Sequence, residues 1–205
     1  MGKLVVTESV TVDGVMQAPG GPNEDTEGGF EHGGWVAPHF DEELGGRAVE
    51  GALRPDALLL GRRTYEIFAA HWPRVTGDDP IAAKLNAMPK YVASRTLEAV
   101  EWNNSTLLNG DVAEAVADLK AGTGGEIRVY GSGDLVQTLL ANDLVDELDL
   151  WIFPVMLGTG KRLFAEGTVP AGLELAGAAT SGTGVVMSTY RRAGEVKRGS
   201  FELPD

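Results

Sequence analysis

Residues 57–68 read ALLLGRRTYEIF. Four apolar residues stop at Gly61; Arg62, Arg63, Thr64 and an aromatic–acidic pair follow. A short run that is apolar at every position fits a strand buried on both faces, the habit of a central strand in a parallel sheet. Residues 64–70 then carry a helical pattern, closed by Trp72-Pro73. Strand, glycine turn, helix is the repeating unit of an α/β sheet. In such sheets ligands collect at the carboxyl ends of the strands. A double cation at one of those ends points to an anion.

The same alternation extends outward in both directions. Residues 4–12 form a β-branched strand turned by Asp13-Gly14. Residues 20–34 hold six glycines with several acids and read as a long mobile loop that buries little. Helical spacing over 40–53 follows Pro38 and opens on acids that suit a helix N-terminus. Further helices are predicted over 81–88, 112–120 (capped by Asp111) and 135–140. Strands are predicted over 56–60, 90–94, 105–108, 126–130 and 147–154. After about residue 145 only strands follow, ending in a hairpin of 173–179 and 185–191 around SGTG. The predicted fold is α/β: a mixed, mostly parallel sheet flanked by helices, with an antiparallel C-terminal hairpin. One domain is expected over residues 1–192, with a charged tail over 193–205.

Composition narrows the function. The 205 residues carry a net charge of -13, so nucleic acid is not an expected partner, because phosphate backbones need a basic face. No cysteine is present, which removes disulfides and thiolate metal sites. The three histidines have no metal-ligand spacing, and no metal is predicted. No uncharged apolar stretch reaches ~18 residues, and the N-terminus lacks a signal-peptide pattern. The expected location is the cytoplasm, with no membrane partner.

Three strand ends suit phosphate. At Gly61-Arg62-Arg63-Thr64 a glycine lets a ligand approach, the next helix offers free N–H groups, and guanidinium forks match phosphate oxygens. Ser94-Arg95-Thr96 joins a hydroxyl to a guanidinium, a pairing suited to a phosphate monoester such as the 2′-phosphate that separates NADP from NAD. Gly131-Ser132-Gly133-Asp134 connects a strand to a helix in the geometry that receives a pyrophosphate. Read separately, a basic pair is also ordinary surface and a glycine turn is also only a turn. Three of them at the ends of one sheet point to a dinucleotide. No serine elbow or histidine base accompanies them, which leaves chemistry in which a cofactor supplies the reactivity.

GRRTYE, SRT, VYGSGDLVQTLL and VDELDLWIFPVMLGTGKRLF together resemble the dihydrofolate reductase superfamily. The branch they resemble most is the pyrimidine reductase domain of bacterial riboflavin biosynthesis. The resemblance spans residues 4–164, and residues 145–164 are its most specific part. It implies an eight-stranded mixed sheet and NADPH as hydride donor. Carried over by position, Arg62, Arg63 and Thr64 would meet the cofactor phosphates, and Ser94 and Arg95 would hold the 2′-phosphate. Gly131, Ser132, Gly133, Asp134 and Leu135 would wrap the pyrophosphate. Val10, Asp13, Gly14 and Met16 would lie near the nicotinamide, and residues 20–34 would replace the family's mobile active-site loop. Lys161 would hold the phosphate of a ribose-phosphate substrate.

Folate enzymes carry one acid at the start of the first helix. Here Asp41 lies one residue off that spacing relative to Trp35, with His39, Glu42 and Glu43 around it. Asp41 is a candidate proton donor or relay, and equally an acid favoured by the helix dipole. Glu8, a charge inside the first strand, is the second catalytic candidate. Trp35 and Trp151 are candidates to stack on a planar ring, and His39 to touch substrate; aromatics also serve cores. The predicted activity is NADPH-dependent reduction of a small pyrimidine- or pterin-type heterocycle, with a ribosylamino-pyrimidinone, dihydrofolate or an unrelated compound as substrate. The chain length is filled by such a reductase, so no deaminase domain is expected. The alternative is a nucleotide- or flavin-binding protein of the same fold with little turnover. Residues 185–190 (VVMSTY) offer an apolar edge for a homodimer, or a capped edge in a monomer.

Overall fold

β2 (Ala57–Gly61) lies in the middle of the sheet with its first four residues fully buried. Successive side chains alternate between faces, and the packing follows that alternation. Ala57 and Leu59 join one core cluster, while Leu58 and Leu60 join another. The computed structural model describes residues 1–164 and 166–201. Residues 202–205 of the expected tail lie outside the described residues.

Eight strands form one sheet. They are β1 (Lys3–Thr11), β2, β3 (Lys90–Ala93), β4 (Ser105–Leu108), β5 (Glu126–Tyr130), β6 (Glu147–Phe153), β7 (Leu173–Thr180) and β8 (Val186–Arg192). Their order is β4-β3-β2-β5-β1-β6-β8-β7. β1 to β6 run parallel. β8 runs antiparallel to β6 and to β7, which closes the sheet with the predicted hairpin. The fold class is the one the alternation of elements predicts.

Helices cover both faces, as a parallel sheet requires. α4 (Val112–Gly122) and α5 (Gly133–Ala141) supply Val116, Leu135, Val136 and Leu139 to the cluster containing Leu4, Val6, Ile127 and Val129. On the other face Tyr65 of α2 (Arg62–His71) and Leu85 of α3 (Pro80–Ala87) cover Leu58, Leu60 and Val92. α1 (Glu42–Leu53) places Leu44 in a third cluster with Trp35, Phe153, Val185 and Met187.

Three of the α-helix starts are marked by side-chain caps. Asp41, Asp79 and Asp111 accept from the backbone N–H of Leu44, Ala82 and Glu114, each satisfying an otherwise orphaned donor. α2 and α5 begin two residues earlier than their apolar pattern implies. Arg62 and Arg63 are therefore the first turn of α2, and Gly133 and Asp134 the first turn of α5. At its other end α3 is closed by a buried lysine. Lys90 Nζ donates to the carbonyls of Leu85, Asn86 and Met88 at 2.8, 3.2 and 2.8 Å and sits 4.3 Å from the Trp102 ring centroid.

Residues 20–34 depart from the expectation of a loop that buries little. Phe30 and Asp25 are buried, and Trp35 just beyond is buried as well. Gln17 Nε2 donates to the carbonyls of Asp25 and Glu27, and Lys161 Nζ bridges the carboxylates of Asp25 and Glu27 at 2.7 and 2.6 Å. Those anchors come from elsewhere in the chain, so the loop's own composition does not show them. Among the described residues no helix is long and apolar enough to cross a membrane.

Candidate active site

The carboxyl ends of the parallel strands open onto one cleft of about 1520 Å³. The three phosphate-suited tips meet there and are tied to one another. Gly61 N–H donates to Ser132 Oγ at 2.9 Å, and Ser132 N–H donates to Thr64 Oγ1 at 3.0 Å. Arg62 Nη1 donates to Thr96 Oγ1 at 3.0 Å, which brings the third tip alongside the first.

Close approach explains the glycines. A Cβ on Gly131 would stand 2.8 Å from Thr64 Oγ1, and one on Gly133 would stand 3.1 Å from Met16 Sδ. Gly131 and Ser132 have φ of 54° and 62°, a left-handed pair that reverses the chain into α5. Ser132 holds this conformation against its own Cβ strain through the two bonds above and a third from its Oγ to Tyr130 O at 2.9 Å.

The cations stand at the mouth of the cleft. The Arg62 and Arg63 side chains are 51% and 54% exposed and reach Glu66 only at 3.8 and 3.9 Å. Arg95 is exposed and also lines the cleft. Ser94 Oγ accepts from the N–H groups of Thr96 and Leu97 at 3.1 and 3.0 Å. That turn aims the segment and leaves the hydroxyl proton free to donate. Asp13 fixes the loop after β1. Its carboxylate accepts from Thr11 Oγ1 and from Gly158 and Leu157 N–H at 2.6, 2.8 and 3.2 Å. Those bonds, the Thr11 hydroxyl first, lower its pKa to about 2.

The substrate candidates separate. Trp151, Met16 and Glu8 line the cleft. Asp41 does not: its carboxylate accepts Leu44 N–H at 2.9 Å as the cap of α1. Trp35 is structural; its Nε1 donates to Gln17 O at 2.8 Å and its ring meets Phe153 edge-on at 5.4 Å. His39 packs toward the same Phe153 and is not part of the cleft wall. Lys161 reaches the cleft rim, but its ammonium is occupied by Asp25 and Glu27. Burial works against its charge, yet those carboxylates raise its pKa.

Glu8 is 4% exposed. Burial pushes its carboxyl well above the usual range, and its Oε1 has no hydrogen-bond partner. Along β1 it alternates with Thr7 and Ser9, so it shares the face of Val6 and Val10 under α5. The opposite face carries a polar group that the motifs did not show. Asp149 on β6 pairs in register with Thr7, and Thr7 Oγ1 donates to its Oδ2 at 3.4 Å. Beside it Arg128 on β5 is fully buried. Charges in the middle of the otherwise mostly apolar strands EIRVY and ELDLWIF are the sequence signal for these two groups.

The comparisons with known proteins agree with this architecture. Residues 2–187 match the model of the RibD C-terminal domain. The chain belongs to the RibD C-terminal domain family. The uncharacterized protein YyaP of Bacillus subtilis (strain 168) is 33% identical over 193 residues, covering 92% of this chain and 94% of that protein. Among solved structures, a Shewanella sp. PV-4 protein provisionally assigned to riboflavin biosynthesis superposes with a TM-score of 0.70 at 23% identity, over 93% of this chain and 99% of that one. Dihydrofolate reductase from Enterococcus faecalis, solved with NADP(H), superposes with a TM-score of 0.59 at 15% identity, over 93% and 96%. This RibD-type domain thus has the sheet order and the antiparallel end of a dihydrofolate-reductase-like fold.

Proposed function

We propose that this RibD-type domain is an NADPH-dependent reductase that delivers a hydride to a small nitrogen heterocycle of pyrimidine or pterin type. The observation that carries the reading is the hydrogen-bonded junction of three phosphate-suited strand ends at one cleft. The residues present fit the cofactor. A Cβ on Gly131 would crowd Thr64 Oγ1 at 2.8 Å in the strand-to-helix turn, and three exposed arginines line the cleft of a chain whose net charge is -13. The Enterococcus protein of the same fold was solved with NADP(H).

The bound dinucleotide would supply the hydride. The chain supplies geometry and charge. The first turns of α2 and α5 direct their free N–H groups toward a pyrophosphate. Arg62 and Arg63 neutralise it, and Ser94 with Arg95 selects the 2′-phosphate. Met16, Ser9 and Trp151 line the part of the cleft where nicotinamide and substrate ring would meet.

Calorimetric titration with NADPH and NADH tests this. Wild-type protein binds NADPH in preference to NADH. Arg95→Ala weakens NADPH binding by roughly tenfold or more, as expected for loss of a charge-assisted phosphate contact, and leaves NADH binding as it was. Absence of NADPH binding defeats the proposal. A second reading has one observation in its favour: the acid at the helix start caps α1 and stays outside the cleft. A nucleotide- or flavin-binding protein without turnover would bind the cofactor and leave it unoxidised with pyrimidine and pterin substrates alike.

A further inference from the structure

We propose that Asp149 is the carboxyl that meets the substrate, accepting paired N–H donors from an amidine-type edge of its ring, with Arg128 and Thr7 as positioning residues. The inference rests on the reductase reading and names the group that reading leaves unassigned.

Three carboxyls compete for this role, and position separates them. Asp41 is spent on capping α1. Glu8 lies on the sheet face under α5, away from α1. Asp149 lies on the face covered by α1, lines the cleft, and shares that wall with Phe40 and Trp151. Phe40 is 48% exposed, an apolar side chain left open beside a polar floor, which suits a flat ring with a polar edge.

Charge accounting points the same way. Arg128, on β5, donates through Nη2 to Glu126 and through Nη1 to Gly51 O at 3.0 Å. Arg54, on α1, pairs with Glu50 at 3.3 Å. The cations that act on Asp149 are shared with other acceptors, and Arg128 Nε is buried without a hydrogen-bond partner. The hydrogen bond to Asp149 from Thr7 is long at 3.4 Å. Burial raises its pKa, while Arg128, Thr7 and Arg54 pull the other way and Glu126 adds to the rise. A partly buried carboxylate with open acceptor sites, whose neighbouring cations are shared with other groups, is under-satisfied. Two parallel N–H donors on a ring satisfy it in the bidentate geometry carboxylates prefer.

The test is calorimetric titration of wild type, Asp149→Asn and Asp41→Asn with 2,4-diaminopyrimidine as probe, and separately with NADPH. Asp149→Asn, which replaces an acceptor by a donor, is expected to lose roughly tenfold or more of the probe affinity. Asp41→Asn retains the probe affinity, and NADPH affinity is the same in all three proteins. The melting temperature of Asp149→Asn does not fall, because burial disfavours the charge that the change removes. Equal probe affinity in Asp149→Asn, or no probe binding to wild type, overturns the assignment. If Asp149→Asn does not fold, Thr7→Val takes its place, and unchanged probe affinity there overturns it too. Intact probe binding without NADPH binding defeats the reductase reading alone and leaves the floor assignment standing.

Discussion

Asp41 and Glu8 show how one side chain's surroundings decide its use. Asp41 sits at a helix start, where an acid is favoured for local reasons alone. Its bond to Leu44 N–H is the whole of its visible work. Asp41→Ala is therefore expected to cost about 1 kcal/mol of stability and to leave cofactor binding intact, measured by urea denaturation and calorimetry. Glu8 is buried without a partner for Oε1, and burial raises its pKa well above 4.5. Between the unfolded and folded pKa values the native state holds the extra proton, so wild-type stability declines as pH rises through that window. Glu8→Gln abolishes the decline. The melting-temperature advantage of Glu8→Gln over wild type should grow from pH 5 to pH 8; an advantage that is flat or shrinks across that range contradicts a raised Glu8 pKa.

At the scale of elements, the turn between β5 and α5 couples fold to function. Gly131 has φ 54°, and a Cβ there would meet Thr64 Oγ1 at 2.8 Å. Strain and clash act together in Gly131→Ala, with an expected loss of about 1–2 kcal/mol from the left-handed backbone alone. The same change should displace Ser132 from Gly61 and Thr64 and weaken NADPH binding, since those bonds set the turn. Thermal denaturation and NADPH titration of one variant check both effects; a destabilised variant with normal NADPH affinity would separate the turn from the cofactor. The turn was legible in the sequence as GSGD after an apolar strand. That α5 starts at Gly133 was not legible, because the first helical turn carries no apolar pattern to mark it.

At the scale of the molecule, the edge expected at residues 185–190 is not an edge, because β8 is paired on both sides by β6 and β7. The edge strand is β7, solvent-facing along nearly its whole length, with Leu173 and Leu175 about half exposed. We propose that this edge pairs two copies, since an open apolar edge strand is an association site. Size-exclusion chromatography with light scattering should then report a dimer, and Leu175→Lys a monomer; a monomeric wild type rejects the edge as an interface. The sequence by itself determined the order and kind of elements, the parallel core and the phosphate-suited turns. Those are written in short windows, in apolar periodicity, glycine and caps. Tertiary structure alone decided that Asp149 lines the cleft while Asp41 does not, and what anchors residues 20–34. Asp149 meets Thr7 across 142 residues, and Lys161 meets Asp25 across 136. Such neighbours are set by strand register and chain crossing, and no local pattern of residues encodes which distant partner a side chain will face.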